Sequence, residues 1–267
     1  MKNYIFSDLA CENVGGSGTK AERISERMQK IMFCDSRGAD SVKCMTFYTP
    51  RMWSLSDGEF SLLSTAVAAT LKETVTEAIY PRTTARVLIA GLGNPRISSD
   101  SLGARVIDGI CIKVGKRESE FCVMAVAPDV SGNTGIETLD TMRAYVASSK
   151  AEVVVAVDAL RSRSYQRLAA TVQLSCGGIK PGSGVGGCRA ELSRNTLGVP
   201  VVSMGIPTVI SSATLIYDVI SHFESSGIEL TDILECSTDF LVTPKEIDLL
   251  IKSGGLLLSD AINKAFS

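Results

Sequence analysis

Two aspartates stand where an open parallel sheet meets its ligands. Asp158 ends the apolar run VVVAVDAL, and Asp100 lies in the loop GLGNPRISSDSLG after the strand-like RVLIAG. Loops at the carboxyl ends of parallel strands lead into helix N-termini and form a crevice. An acid at a buried strand end is costly unless it is hydrogen-bonded, paired or protonated. If the two strands are neighbours, their carboxyls share that crevice and repulsion raises the pKa of one of them. Such a pair divides the labour of peptide hydrolysis: one acid takes a proton from water, the other gives one to the scissile amide. A local alternative exists for each, with Asp158 anchoring a turn through backbone N–H groups and Asp100 capping the helix it precedes. The two positions by themselves leave both readings open.

Other motifs point to chemistry less strongly. GSGVGG at 182–187 matches the spacing of a dinucleotide loop, but no strand immediately precedes it and no acidic partner follows, so a loop shaping the site fits better. GLGNP at 91–95 resembles the opening of peptidyl-tRNA hydrolases, which use a histidine soon afterwards; His222 is the sole histidine here. That residue has no nucleophile-elbow partner and reads as a helix-end residue. Cys176 and Cys188 flank the glycine loop without a histidine beside them and read as small apolar packers. Zinc is disfavoured for the same want of histidine, and neither cofactor nor metal is expected.

The elements that must position the two acids follow from apolar periodicity. SVKCMTFY, RVLIAGL, FCVMAVA, AEVVVAVDAL, TVQLS and VPVVSMG read as strands, and helix-like segments alternate with those from 84 onward. That alternation predicts an α/β fold, a mostly parallel sheet with helices on both faces. Ser56 and Glu59 are spaced as a capping box opening a helix over SLSDGEFSLLSTAVAATLKETVTEAI. Leu102, Val106 and Ile110 form a stripe on the helix after Asp100. TPKE opens the last helix, with Thr243 as cap, Pro244 in first place and Glu246 completing the box. Residues 1–40 lack a clear period and read as an N-terminal arm with a short helix at 21–33, and residues 41–267 as a single α/β catalytic domain.

The whole chain bounds the function. Its 267 residues suffice for a sizeable core, and 45% hydrophobic with 21% charged residues is ordinary for a globular protein. A net charge of −2 gives no general pull toward phosphate backbones, so no direct nucleic-acid partner is expected. No run of apolar residues is long enough to span a bilayer, and no signal-peptide core is present, so a cytoplasmic protein without membrane attachment is expected. Eight scattered cysteines with no CxxC fit reduced thiols.

Taken in order, GLGNPRISSDSLGARVID, APDVSGNTGIETLD, VVVAVDALRSRS, VQLSCGGIKPGSGVGGCRAELS, TLGVPVVSMGIPTV and LVTPKEID resemble successive blocks of the germination proteases of spore-forming bacteria. SDLACE at 7–12 is similar to that family's precursor-processing site. The resemblance implies a hydrogenase-maturation-endopeptidase-like fold and an atypical aspartic endopeptidase acting as a homotetramer in the spore core. It implies Asp100 and Asp158 as the catalytic pair. It also implies a zymogen that loses residues 1–8 by cleavage between Asp8 and Leu9, and small acid-soluble spore proteins as substrates. Three positions depart from the family pattern: Pro95 replaces the usual Trp, Asp129 the usual Gly, and Ser211 the common Asp. Two other readings share the strand-end acids: a metal-dependent maturation-type endopeptidase, and a non-catalytic relative that binds spore proteins.

Overall fold

The structure, a computed structural model, describes residues 7–13, 20–35, 42–113, 121–182, 190–220 and 240–267. Its strands are β1 (Lys20–Arg23), β2 (Gln29–Asp35), β3 (Val42–Tyr48), β4 (Ala85–Gly91), β5 (Phe121–Val126), β6 (Val153–Ser162), β7 (Thr171–Ser175), β8 (Val201–Ser211) and β9 (Leu241–Val242). The helices are α1 (Ala10–Asn13), α2 (Asp57–Ile79), α3 (Leu102–Ile107), α4 (Ser131–Thr134), α5 (Thr138–Ser149), α6 (Arg194–Leu197), α7 (Ser212–Ile220) and α8 (Ile247–Ala265). Among the described residues, no helix is long and apolar enough to cross a membrane.

All the strands join one sheet in the order β1-β2-β3-β7-β8-β6-β4-β5, with β9 paired to β8. The expected α/β architecture is present: β5, β4, β6 and β8 run parallel. The sheet is mixed overall, because β7, β3, β2 and β1 continue it antiparallel beyond β8. β6 and β8 are buried along almost their whole length, as their unbroken apolar runs require of strands covered on both faces.

Alternate side chains of the strands feed opposite layers. Val87, Ile89, Val155, Val157 and Met204 pack in one cluster with residues of α2, α3 and α8, including Leu71, Leu102 and Leu258. Leu88, Ala90, Val154 and Ala156 pack on the other side with Met142 and Val146 of α5 and Leu197 of α6. The helices therefore cover both faces, and the carboxyl ends of β4, β6 and β8 remain as the place where loops meet.

Local signals succeed where they act alone and fail where a partner strand intervenes. The capping box of α2 is complete, with Ser56 Oγ accepting the Glu59 N–H at 3.3 Å and Glu59 Oε2 accepting the Ser56 N–H at 3.0 Å. Residues 21–33 do not form the expected short helix: they fall in β1, a turn and β2, because β2 lies in register with β3 over its full length. Cross-strand pairing and the burial of Met28 and Phe33 outweigh weak helix propensity there. The stripe after Asp100 is shorter than expected, since α3 ends at Ile107 and Ile110 packs at the edge of the core beyond it. The final helix begins at Ile247, not at the Thr243 cap: the Thr243 hydroxyl instead donates to the Thr208 carbonyl at 2.9 Å, tying this segment to β8.

Candidate active site

The loop after β4 is built around one glycine. Gly93 has φ +98, and a Cβ there would stand 2.0 Å from the Asp100 carbonyl oxygen. Only glycine combines that backbone conformation with that approach. The loop thereby folds back on itself, and the Asn94 N–H donates to Asp100 Oδ2 at 2.8 Å. Asp100 closes a 3-10 turn (Ser98–Asp100) held to β8 by the Thr208 hydroxyl, which donates to the Ser99 carbonyl at 2.6 Å. Asp100 is buried and does not cap α3, whose N-terminus has no side-chain cap.

Asn94 also connects this loop to the next. Its Oδ1 accepts from Asn133 Nδ2 at 2.9 Å, and the same Asn133 amide donates to Asp129 Oδ1 at 2.8 Å. Asp129 has φ +62, a left-handed conformation that glycine adopts without strain. Here an aspartate holds it by accepting the Val130 N–H at 2.7 Å. The Asn133 bond, despite some opposing desolvation, keeps the Asp129 carboxyl below its ordinary range.

Asp158 lies on β6 beside the loop carrying Asp100. Asp158 pairs in register with Gly205 of β8, which pairs in turn with Gln173 of β7. Residues in one row across a sheet point to the same face, so Asp158 and Gln173 flank a position without a side chain. A Cβ on Gly205 would stand 2.3 Å from the Asp158 carbonyl oxygen. Asp158 Oδ1 accepts the Ala159 N–H at 2.9 Å, a local anchor inside β6 and not in a turn beyond its end, because the strand runs on to Ser162. More than that anchor acts on it, however. Burial, then the negative charge of Asp100, then that of Asp8 push its pKa well above the usual carboxylate value, against the opposing N–H groups of Ala159 and Gly182. The two sequence-predicted acids therefore feel each other, and Asp8 joins them.

Asp8 reaches this place because its segment bonds to β6 near the carboxyl end, at Arg161, and to the middle of β7, at Gln173. Its N–H donates to the Arg161 carbonyl at 3.0 Å, and its Oδ2 accepts the Arg161 N–H at 2.8 Å. Its own carbonyl oxygen, which belongs to the Asp8–Leu9 peptide bond, accepts from Gln173 Nε2 at 2.7 Å. Leu9 is fully buried against Phe33, Cys44 and Leu160. Two residues of one short motif, Asp8 and Leu9, thus engage the sheet through backbone, carboxylate and apolar side chain.

Gln173 and Arg161 carried no signal in the sequence reading beyond being polar residues within apolar strands. Cys176 is unsuited to nucleophilic work, because desolvation, followed by the Cys44 and Glu77 charges, pushes its thiol up to about 11. His222, Cys188 and residues 183–187 of the glycine loop lie outside the described residues. Among the described residues, no group of three or more His, Cys, Asp or Glu has the arrangement to hold a metal ion.

Residues 41–233 match the family model described as germination protease. A germination protease of Caldanaerobacter subterraneus subsp. tengcongensis is 35% identical, covering 76% of this chain and 72% of its own length. One from Clostridium perfringens strain 13 is 31% identical, covering 91% and 86% respectively. Among solved structures, the [NiFe] hydrogenase maturation protease HycI from Thermococcus kodakarensis KOD1 aligns with a TM-score of 0.34 at 16% identity, over 52% of this chain and 80% of that one. A likeness that slight carries no weight for function.

Proposed function

Because this chain belongs to the germination protease family, we propose that it is an aspartic endopeptidase made as a zymogen, which cuts its own Asp8–Leu9 bond and then small acid-soluble spore proteins. The observation that carries the reading is the bond from Gln173 Nε2 to the Asp8 carbonyl oxygen, in the same row of the sheet as Asp158. A peptide bond, an amide donor on its oxygen and two interacting carboxyls are the parts that hydrolysis requires.

The chemistry follows from the environments. Asp158 is the acid that keeps its proton more readily than an ordinary carboxyl, since burial, then the negative charges of Asp100 and Asp8, oppose its ionisation. Asp100, fixed by the Asn94 N–H, is left as the base of the pair. Water loses a proton to Asp100 as its oxygen adds to the Asp8 carbonyl carbon, and Gln173 stabilises the developing oxyanion. Collapse then breaks the C–N bond, Asp158 delivers its proton to the departing Leu9 nitrogen, and the products are an Asp8 carboxyl and a Leu9 amine. The family resemblance supplies the rest of the reading, a homotetramer working in the spore core.

Incubating the full chain at mildly acidic pH and sequencing the new N-terminus tests this. A chain beginning at Leu9, which then degrades a small acid-soluble spore protein, is the expected result. A chain that stays intact and leaves such a protein uncut under all conditions overturns it.

A further inference from the structure

The loop that carries Asp100 is clamped from two sides. β4 runs parallel between β6 and β5, so the loop after β4 leaves the sheet beside the loop after β5. On the β8 side the Thr208 hydroxyl holds the Ser99 carbonyl at 2.6 Å. On the β5 side the clamp is an amide: Asn133 Nδ2 donates to Asn94 Oδ1 at 2.9 Å and to Asp129 Oδ1 at 2.8 Å.

An amide group fits either way round, and its neighbours decide between the two. The Asn133 NH2 group meets two oxygens, while its Oδ1 lies 3.5 Å from Arg96 Nη1. Turned over, the carbonyl oxygen would face the Asp129 carboxylate and the Asn94 oxygen, and the NH2 group would face a guanidinium. Every one of those contacts is repulsive, so the Asp129 carboxylate directs the second N–H onto Asn94. Asn94 Oδ1 also accepts the Arg96 N–H at 3.0 Å, the turn by which an asparagine fixes the peptide planes that follow it. With the side chain held by both bonds, the Asn94 N–H points at Asp100 Oδ2, 2.8 Å away. The support behind Asn133 is itself bonded: the Asn133 and Thr134 N–H groups donate to the Val130 carbonyl at 2.9 and 3.1 Å, and Gly135 closes the turn on the Ser131 carbonyl at 2.8 Å. Asp129 is tied to the same turn by the Val130 N–H at 2.7 Å.

We propose that Asn133, oriented by the Asp129 carboxylate, is a positioning residue for Asp100: through the Asn94 side chain it keeps the Asn94 N–H on the Asp100 carboxyl. This rests on the reading of Asp100 as the base in cleavage of Asp8–Leu9.

Asn133→Ala, Asp129→Gly and Asp129→Asn test it in the full chain. Glycine accepts φ +62 without strain, so Asp129→Gly removes the carboxylate and allows the turn to persist; circular dichroism melts check folding, and this variant carries the test if Asn133→Ala does not fold. Asparagine tolerates the left-handed region and keeps an acceptor oxygen toward Asn133. Two readouts are followed against pH: the first-order rate of Asp8–Leu9 cleavage by mass spectrometry, and the Asp100 carboxyl-carbon titration by NMR of aspartate-labelled chain in the Asp158→Asn background, assigned with Asp100→Asn. A hydrogen bond to a carboxylate favours its ionised form. Asn133→Ala and Asp129→Gly should therefore each move the Asp100 titration to higher pH and slow cleavage at the acid end of the profile by about ten-fold or more, with Asp129→Asn close to the unaltered chain. Asp8, whose charge acts in the same crevice, and Arg96, which acts on Asp129, are the same in every chain, and Asp158 is the same within each readout.

If both Asp129 variants move the titration alike and Asn133→Ala does not, Asp129 acts as a charge through space and the positioning role is overturned. A titration unmoved in all three variants overturns it too, as does a moved titration beside unaltered cleavage in a chain that cuts. If the unaltered chain cuts nothing while the titration moves as expected, the positioning stands and the proteolytic reading falls.

Discussion

Gln173 Nε2 donates to the carbonyl oxygen of Asp8 at 2.7 Å, joining the middle of the sheet to a segment more than 160 positions away in the chain. Gly205 stands between Gln173 and Asp158 in the sheet row. If that bond polarises the carbonyl, it must strengthen as negative charge develops on the oxygen. Gln173→Ala is therefore expected to slow cleavage of Asp8–Leu9 by about 10²-fold, with the folded state retained. Single-turnover cleavage followed by mass spectrometry, beside a circular dichroism melt, checks it. A rate within the scatter of the unaltered chain would remove Gln173 from the chemistry.

Asp100 and Asp158 are expected to fail separately and for different reasons. Asp158→Asn keeps a hydrogen-bonding side chain but has no proton to deliver, and Asp100→Asn has no base. Each should lower the rate by about 10²- to 10⁴-fold. Because the two act on one bond, the double variant should be little worse than the poorer single one. Multiplicative losses in the double variant would mean that the acids act in separate steps or separate places.

Legibility in the sequence followed the range of each interaction. Asp158 could be found as the acid that interrupts an apolar run, although it lies inside β6 and not at its end, Asp100 as the acid of the loop that follows β4, and the Ser56 box because all its atoms lie within four residues. Gln173 could not, since TVQLS reads as an ordinary strand and its amide finds its partner only when the N-terminal segment crosses the sheet. The β1–β2 pair was hidden for the same reason: its strands are defined by β3, and nothing in residues 20–35 states that pairing. Thr243 carried a capping signal that tertiary structure overrode, its hydroxyl going to Thr208 of β8 while the helix begins at Ile247.

Two glycines can be tested as the means by which the acids approach each other. At Gly93, φ +98 and a Cβ position 2.0 Å from the Asp100 carbonyl combine backbone strain with a steric clash; at Gly205 the obstacle is the Asp158 carbonyl at 2.3 Å. In both cases the blocking atom is backbone and cannot rotate away. Gly93→Ala and Gly205→Ala are each expected to cost about 1–3 kcal/mol or more in urea unfolding. Gly58 serves as the contrast, because it stands in the first turn of α2 with nothing within 4 Å of an added Cβ. Gly58→Ala should be neutral or stabilise by up to about 1 kcal/mol. If all three behaved alike, close approach would not be what those positions require.

Stability should carry the signature of the buried acid as well as activity. Asp158 has a folded-state pKa raised well above its ordinary 3.8, so between those two values the native chain keeps a proton that the unfolded chain has released. Stability rises with pH only where the unfolded state binds more protons; here the native state binds more, so the contribution of Asp158 is fully present below 3.8 and is lost as pH climbs through the folded pKa. The slope approaches about 1.4 kcal/mol per pH unit while the native group stays protonated. Asp158→Asn, which cannot ionise, removes that slope. Its Tm should exceed that of the unaltered chain by a margin that widens as pH rises from 3.8 through the folded-state pKa, even as its proteolysis slows. Melts across that range decide the matter: a constant difference between the two chains would mean that Asp158 is ionised in the folded protein, and the general acid would have to be sought in another group.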